Sequence, residues 1–103
     1  MKPQALDHHA AMLRQFRWQV PRQMNIAQLG ARRWATHDNG QGVAVISHQA
    51  DAPARHHSFA QLQAGANAMS QQLAALGVER GDRVAVVLPQ RFETAVAYMA
   101  LWQ

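Results

Sequence analysis

The sequence predicts an α/β fold built from a helix, a β-hairpin and a helix–strand–helix unit. Apolar residues recur at helical spacing through residues 58–76, an unbroken apolar run occupies 84–88, and helical spacing resumes from about 91. A helix–strand–helix unit is half of an α/β layer, and its strand needs neighbours. We therefore expect the 103 residues to be an incomplete, N-terminal portion of a larger domain.

The first 24 residues contain a short predicted helix and an extended stretch. Apolar spacing favours a helix over about residues 6–17. Pro21 then forces Val20 out of the helical region, because the proline ring clashes with the preceding residue in that conformation.

A second helix is predicted over about residues 25–36. Asn25 is a good N-cap, since its side-chain oxygen can accept a hydrogen bond from an amide of the first turn. The predicted buried face consists of Ile26, Leu29, Gly30 and Trp34. Turn-forming residues from 36 to 42 end the helix.

The next segment predicts a β-hairpin. Residues 43–46 are short, largely β-branched and bounded by turn formers, which is typical of a strand. Residues 49–53 form the predicted loop, and residues 55–57 return as the second strand.

The long helix begins with a capping box in which Ser58 caps the first turn and Gln61 reaches back to the cap. Its predicted apolar stripe consists of Phe59, Leu62, Ala66, Met69, Leu73 and Leu76. Gly77 is placed to end the helix in the left-handed conformation, with Val78 as the apolar contact behind it.

Residues 84–88 predict a strand that is apolar on both faces, with Pro89 as its end. Such a strand belongs inside a sheet that helices cover on both sides. Within the 103 residues it could pair only with the 43–57 region. We therefore expect the chain by itself to bind a hydrophobic dye, to self-associate or to unfold early.

Composition excludes several classes of protein. Hydrophobic residues make up 49% and charged residues 16%, which rules out a disordered tail, and the absence of cysteine excludes disulfides, zinc–thiolate sites and a cysteine nucleophile. No apolar run is long enough to span a membrane, and Arg14 and Arg17 interrupt any signal-peptide core. A cytoplasmic location is expected.

The net charge of +4 is concentrated at the front, because six of the ten basic residues lie within residues 1–35. We interpret this as a solvated or internally paired surface without a nucleic-acid partner. The alternative is a small basic module that binds nucleic acid through Arg14–Arg33. A third possibility is an interaction domain that pairs an exposed sheet edge with another chain.

The histidines do not have the spacing of a metal site. His56 and His57 would point to opposite faces of a strand, and His8 and His9 lie about 100° apart on a helix. Neither pair can chelate one ion, so no metal-binding residue is predicted.

Other candidate motifs are also incomplete. Gly40-Gln41-Gly42 precedes a strand, where a phosphate-binding loop would precede a helix, and the single lysine is Lys2. Glu79 and Asp82 are interpreted as solvated turn charges. Ser47-His48 lacks an oxyanion-hole motif. Three dispersed tryptophans make no stacking platform: Trp18, Trp34 and Trp102. No catalytic, cofactor-binding or metal-binding residue is predicted.

The order of motifs nevertheless resembles a known family. Ser58-Phe59-Ala60-Gln61-Leu62, then Leu76-Gly77-Val78, then Gly81-Asp82-Arg83-Val84 and an apolar run to Pro89 are similar to the opening of AMP-forming acyl-CoA synthetases of the adenylate-forming superfamily. Gln61 stands where the family usually has glutamate, and either side chain can close the capping box. Residues 16–27 resemble the start of medium-chain and acetyl-CoA synthetase-like members.

The resemblance implies a parent enzyme that joins a carboxylic acid to ATP, releases pyrophosphate and transfers the acyl group from the adenylate to CoA. The resemblance implies that the parent uses ATP, Mg²⁺ and CoA and that it acts in fatty acid metabolism. It implies no cofactor bound by the fragment itself. The family's phosphate loop and catalytic lysine lie downstream of Gln103. We expect residues 1–24 to be an N-terminal extension, residues 25–103 to be the truncated start of the large domain, and the chain alone to be inactive.

Overall fold

The computed structural model describes residues 8–36 and 38–103. Their elements are α1 (His8–Gln15), α2 (26–35), a 3₁₀ turn (Asp38–Gln41), β1 (Val43–Gln49), β2 (Ala52–Ser58), α3 (Phe59–Ala75) and α4 (Phe92–Trp102). Helices and an antiparallel pair of strands together confirm the α/β class. The Cα radius of gyration is 19.2 Å, whereas a compact domain of this length has about 13 Å. The chain is therefore elongated.

Helix α1 lies apart from the core. It spans His8–Gln15 within the predicted 6–17, and residues 6 and 7 lie outside the described part of the chain. None of its residues is buried. The Arg17 guanidinium donates to the carbonyls of Arg14 and Phe16, both at 3.0 Å, and so satisfies backbone groups that the end of the helix leaves free. Residues 16–25, which follow, are in neither helix nor strand.

Helix α2 begins as predicted, but it buries a different face. The Asn25 Oδ1 accepts from the Gln28 amide at 3.0 Å. The central turn, Gln28–Arg32, is π-helical, and its wider i→i+5 turn rotates the following residues around the axis. Ala27 and Ala31 are the buried residues. The predicted core residues Ile26, Leu29 and Trp34 remain 49%, 44% and 38% exposed.

The hairpin is longer and its turn tighter than predicted. Strands β1 and β2 pair antiparallel around a two-residue turn at 50–51. Val45 lies opposite His57 and Ser47 opposite Arg55, with register irregularities near both ends of β1. The second predicted strand, 55–57, thus lies within β2.

Helix α3 has both predicted ends. The Ser58 Oγ accepts from the Gln61 amide at 3.2 Å, and the Ser58 amide donates to Gln61 Oε1 at 2.9 Å. At the other end Gly77 has φ +90°, and the amides of Gly77 and Val78 donate to the carbonyls of Ala74 and Leu73, each at 3.0 Å. This is a Schellman motif.

The predicted apolar stripe of α3 is buried only in its first half. Leu62 and Ala66 are buried there, whereas Leu76 is 81% exposed. Gln63, which the stripe did not include, is buried beside them. In the second half, Met69 and Leu73 are half-buried.

The predicted strand at 84–88 does not form. Residues 82–89 are in neither helix nor strand, and the sheet of the described residues contains β1 and β2 alone. Val87 is 91% exposed. A strand exists only where its backbone groups have partners, and the hairpin does not reach this segment. The prediction of a strand covered on both faces is therefore wrong for this chain.

The core lies where α3 packs against α4. Ala66 of α3 and Ala97 and Ala100 of α4 are buried, and Gly65 faces Val96. The Gln63 Nε2 donates to Asn67 Oδ1 at 2.7 Å and to Gln103 Oε1 at 2.9 Å. Small residues allow the two helices to approach closely, and the amides bridge them.

This close approach predicts energetic coupling between Gly65 and Val96. An alanine Cβ at position 65 would lie 3.1 and 3.2 Å from the two Val96 methyl groups. Alanine in a helix is more favourable than glycine by about 1 kcal/mol. Gly65→Ala should therefore raise the free energy of unfolding by this amount only when Val96→Ala has removed the two methyl groups. Urea unfolding of the four variants, followed by far-UV circular dichroism, measures the coupling.

Gly30→Ala is the matched control, since its Cβ would lie 3.6 Å from Met99, an ordinary contact. It should show no coupling to Val96→Ala. Additive effects of Gly65→Ala and Val96→Ala would contradict the packing described.

Candidate functional site

The described residues form a broad, open groove of about 1130 Å³. It lies between the second half of α3, the end of α4 and residues 78–86, and residues 22–26 close its remaining side. Its apolar walls include Leu73, Val84, Val86, Tyr98 and Leu101. The unpaired 84–88 segment thus forms one wall.

One carboxylate at this groove is used within a turn. The Asp82 Oδ2 accepts from the Glu79 amide at 2.9 Å, and the Asp82 amide donates to the Glu79 carbonyl at 3.1 Å. Both residues are exposed. These contacts close the 79–82 turn in the way that Asp side chains favour, which agrees with the interpretation of Asp82 as a turn residue.

A smaller hollow of about 490 Å³ lies between β2 and the start of α3. Its lining includes Gln41, His56, His57, Ser58 and Gln61. The Ser58 and Gln61 side chains are already engaged in the capping box. His56 and His57 are the titratable side chains that line the hollow.

His57 connects the hairpin to α4. Its Nε2 lies 2.9 Å from the Ser47 Oγ, and its ring stacks on Phe92 with centroids 3.9 Å apart and an interplanar angle of 7°. His57 is half-buried, whereas His56 next to it is exposed, as alternation along a strand requires. Phe92 is the first residue of α4, so the stack fixes the start of that helix against the sheet.

In the sequence, Ser47 and the adjacent His48 were a candidate motif. In the fold, the Ser47 side chain contacts His57 instead. Val45 lies opposite His57, so Ser47 is its diagonal neighbour across the hairpin. A catalytic serine–histidine pair also needs a carboxylate behind the imidazole. Among the side chains of residues 8–36 and 40–103, no carboxylate contacts His57. The pair is a structural contact that strand register alone could have revealed.

The tryptophans lie in three separate places. Trp18 packs edge-on against Phe16 at 5.0 Å, Trp34 lies 6.1 Å from Phe59, and Trp102 stacks on Tyr98 at 5.3 Å. They form no common platform, as predicted.

The remaining candidates also have structural positions. Gly40 lies so close to the Ala35 carbonyl that a Cβ would be 2.9 Å from its oxygen, and the Gly42 carbonyl accepts from the Phe59 amide at 3.0 Å. His8 and His9 are exposed at the start of α1. In the described part of the chain, no three His, Asp or Glu side chains are grouped to hold a metal ion.

Residues 31–103 match the family model of the AMP-binding enzymes. The chain belongs to this family. This chain is 32% identical over 84 residues to an acetyl-coenzyme A synthetase of Streptomyces coelicolor (strain ATCC BAA-471 / A3(2) / M145), a match that covers 82% of the chain and 13% of the relative. The chain therefore spans about an eighth of that relative's length. No solved structure matches it significantly.

The family match begins within α2 and includes the hairpin, α3, residues 84–88 and α4. Helix α1 and residues 16–25 after it precede the match. No helix among the described residues has the length and apolarity to cross a bilayer.

The His57 contacts predict a measurable role in holding α4. His57→Ala removes one stack and one hydrogen bond, which together are worth about 1–2 kcal/mol. We expect faster hydrogen–deuterium exchange of the amides of residues 95–97, by roughly tenfold or more. His56→Ala, at the exposed neighbouring position, is the matched control and should leave the exchange unchanged. Equal effects of the two variants would refute the contact.

Proposed function

We propose that this chain is the N-terminal part of an AMP-forming acid–CoA ligase. The parent enzyme converts ATP, a carboxylic acid and CoA into acyl-CoA, AMP and pyrophosphate, and the reaction passes through an acyl-adenylate. The observation that carries the proposal is the family match over residues 31–103. The acetyl-coenzyme A synthetase relative supports a small carboxylic acid as the substrate class.

Within that ligase, the chain serves as scaffold. Residues 25–103 are assigned to the start of the large domain and residues 1–24 to an extension. Two features support this role: the Ser58 and Gly77 caps fix α3 at both ends, and the apolar 84–88 segment has a free backbone. A segment of this kind is suited to a place inside a sheet that other parts of the ligase complete.

The fragment itself is proposed to be inactive. ATP, Mg²⁺ and CoA belong to the whole ligase, which we place in the cytoplasm and in fatty acid metabolism. In support, the candidate polar groups of the fragment are engaged locally: Asp82 closes a turn, and Ser47 is bonded to His57.

The test compares the 103-residue chain with the product of the same reading frame continued past the codon for Gln103. We expect acid-dependent ATP–pyrophosphate exchange from the longer product and none from the chain alone. Omission of the acid is the control, and a series from acetate to octanoate gives the chain-length preference. Exchange by the 103 residues would overturn the scaffold role. A longer product that is folded but gives no exchange would overturn the ligase proposal.

We also propose that the isolated chain self-associates through residues 84–88. Val87→Asp should reduce both the fluorescence of a bound hydrophobic dye and the mass measured by light scattering, because it places a charge in the exposed apolar run. Val20→Asp is the matched control, since Val20 is 80% exposed but lies outside that run. A monomeric chain with a sharp thermal transition and no dye binding would contradict the prediction.

A further inference from the structure

Residues 8–24, here called the basic arm, precede the residues that the family model matches, which begin at residue 31. The match to the acetyl-coenzyme A synthetase is longer, at 84 residues, and therefore reaches into the arm. The arm carries Arg14, Arg17 and Arg22, and residues 8–36 contain no aspartate or glutamate. None of its residues is buried. The arm is thus a cationic segment without acidic residues of its own, and its last residues, 22–24, line the groove together with Glu79 and Asp82.

The arm is also unusually apolar for an exposed cationic segment. Trp18 and Val20 are 83% and 80% exposed. The other exposed large apolar side chains of the arm are Met12, Leu13, Phe16 and Met24. Exposed patches of this kind mark interaction sites.

The arm has local order that presents these side chains together. Phe16 and Trp18 pack edge to face with ring centroids 5.0 Å apart. The Arg17 guanidinium, between them in sequence, folds back onto the carbonyls of Arg14 and Phe16. The end of α1 and the aromatic pair are therefore held as one unit.

We propose that the basic arm binds the surface of an anionic phospholipid bilayer. Arginines attract anionic headgroups, while tryptophan, phenylalanine and aliphatic side chains enter the boundary between headgroups and acyl chains. This is attachment to one surface and does not span the membrane. The inference does not rest on the proposed function, because its test measures binding to lipid and not ligase activity.

The observations favour a bilayer over a nucleic acid. Of the six exposed apolar side chains, four are aliphatic: Met12, Leu13, Val20 and Met24. Aliphatic groups gain by transfer into a lipid interface, whereas binding to single-stranded nucleic acid relies on aromatic faces that stack on bases. The two aromatic rings of the arm already pack against each other.

The experiment is co-sedimentation of the full chain with two kinds of vesicle: phosphatidylcholine alone, and phosphatidylcholine mixed with phosphatidylserine. We expect binding to the mixed vesicles that weakens with salt. Arg14→Gln/Arg22→Gln should weaken it roughly thirtyfold, and Trp18→Ser roughly tenfold.

Two matched controls separate the arm from the rest of the chain. Arg80→Gln/Arg83→Gln makes the same charge change at exposed arginines on the 79–83 turn, and Leu76→Ser removes an 81% exposed apolar side chain at the end of α3. Both should bind as the unchanged chain does. Equal binding to neutral vesicles, or equal losses in the control variants, would overturn the proposal. Tighter binding to a single-stranded oligodeoxythymidine than to the mixed vesicles would overturn it in favour of a nucleic-acid partner.

Discussion

The close contact of α3 with α4 is the interaction on which the rest of the structure depends. Gly65 leaves room for the Val96 methyl groups, and the buried alanines beside them bring the two helix backbones together. This contact places Phe92 under the hairpin, where it stacks on His57. It also sets the end of α4 as one wall of the groove. Larger residues at the contact would move the hairpin and the groove together, because both are positioned through α4.

Two residues make the connection between sheet and helix rigid. Ser58 ends β2 and at the same time caps α3, so no flexible linker separates the strand from the helix. The Phe59 amide, bonded to the Gly42 carbonyl, joins the start of α3 to the entry of β1. These contacts lie within the region that matches the AMP-binding enzymes. A frame of this stiffness suits a segment whose task is to hold other elements in place.

Some polar groups among the described residues are left without partners. The backbone of residues 84–88 is unpaired, and the buried Gln63 Oε1 accepts no hydrogen bond from the described residues. Buried polar groups are normally satisfied, because leaving one unpaired costs free energy. Both groups lie in the part of the chain that matches the AMP-binding enzymes.

The sequence by itself determined the features that depend on a few neighbouring residues: the Asn25 and Ser58 caps, the left-handed Gly77, the hairpin and the family. The caps and the left-handed glycine follow from hydrogen bonds or steric limits within about one turn of chain, and the hairpin and the family follow from the order of such local signals along the chain. Only the tertiary structure decided that α2 buries alanines, that Ser47 meets His57, that Gln63 enters the core, and that 84–88 stays unpaired. Periodicity marks which side chains are apolar. Burial and strand pairing, however, require a partner that is distant in sequence, and no local pattern specifies whether that partner is within reach.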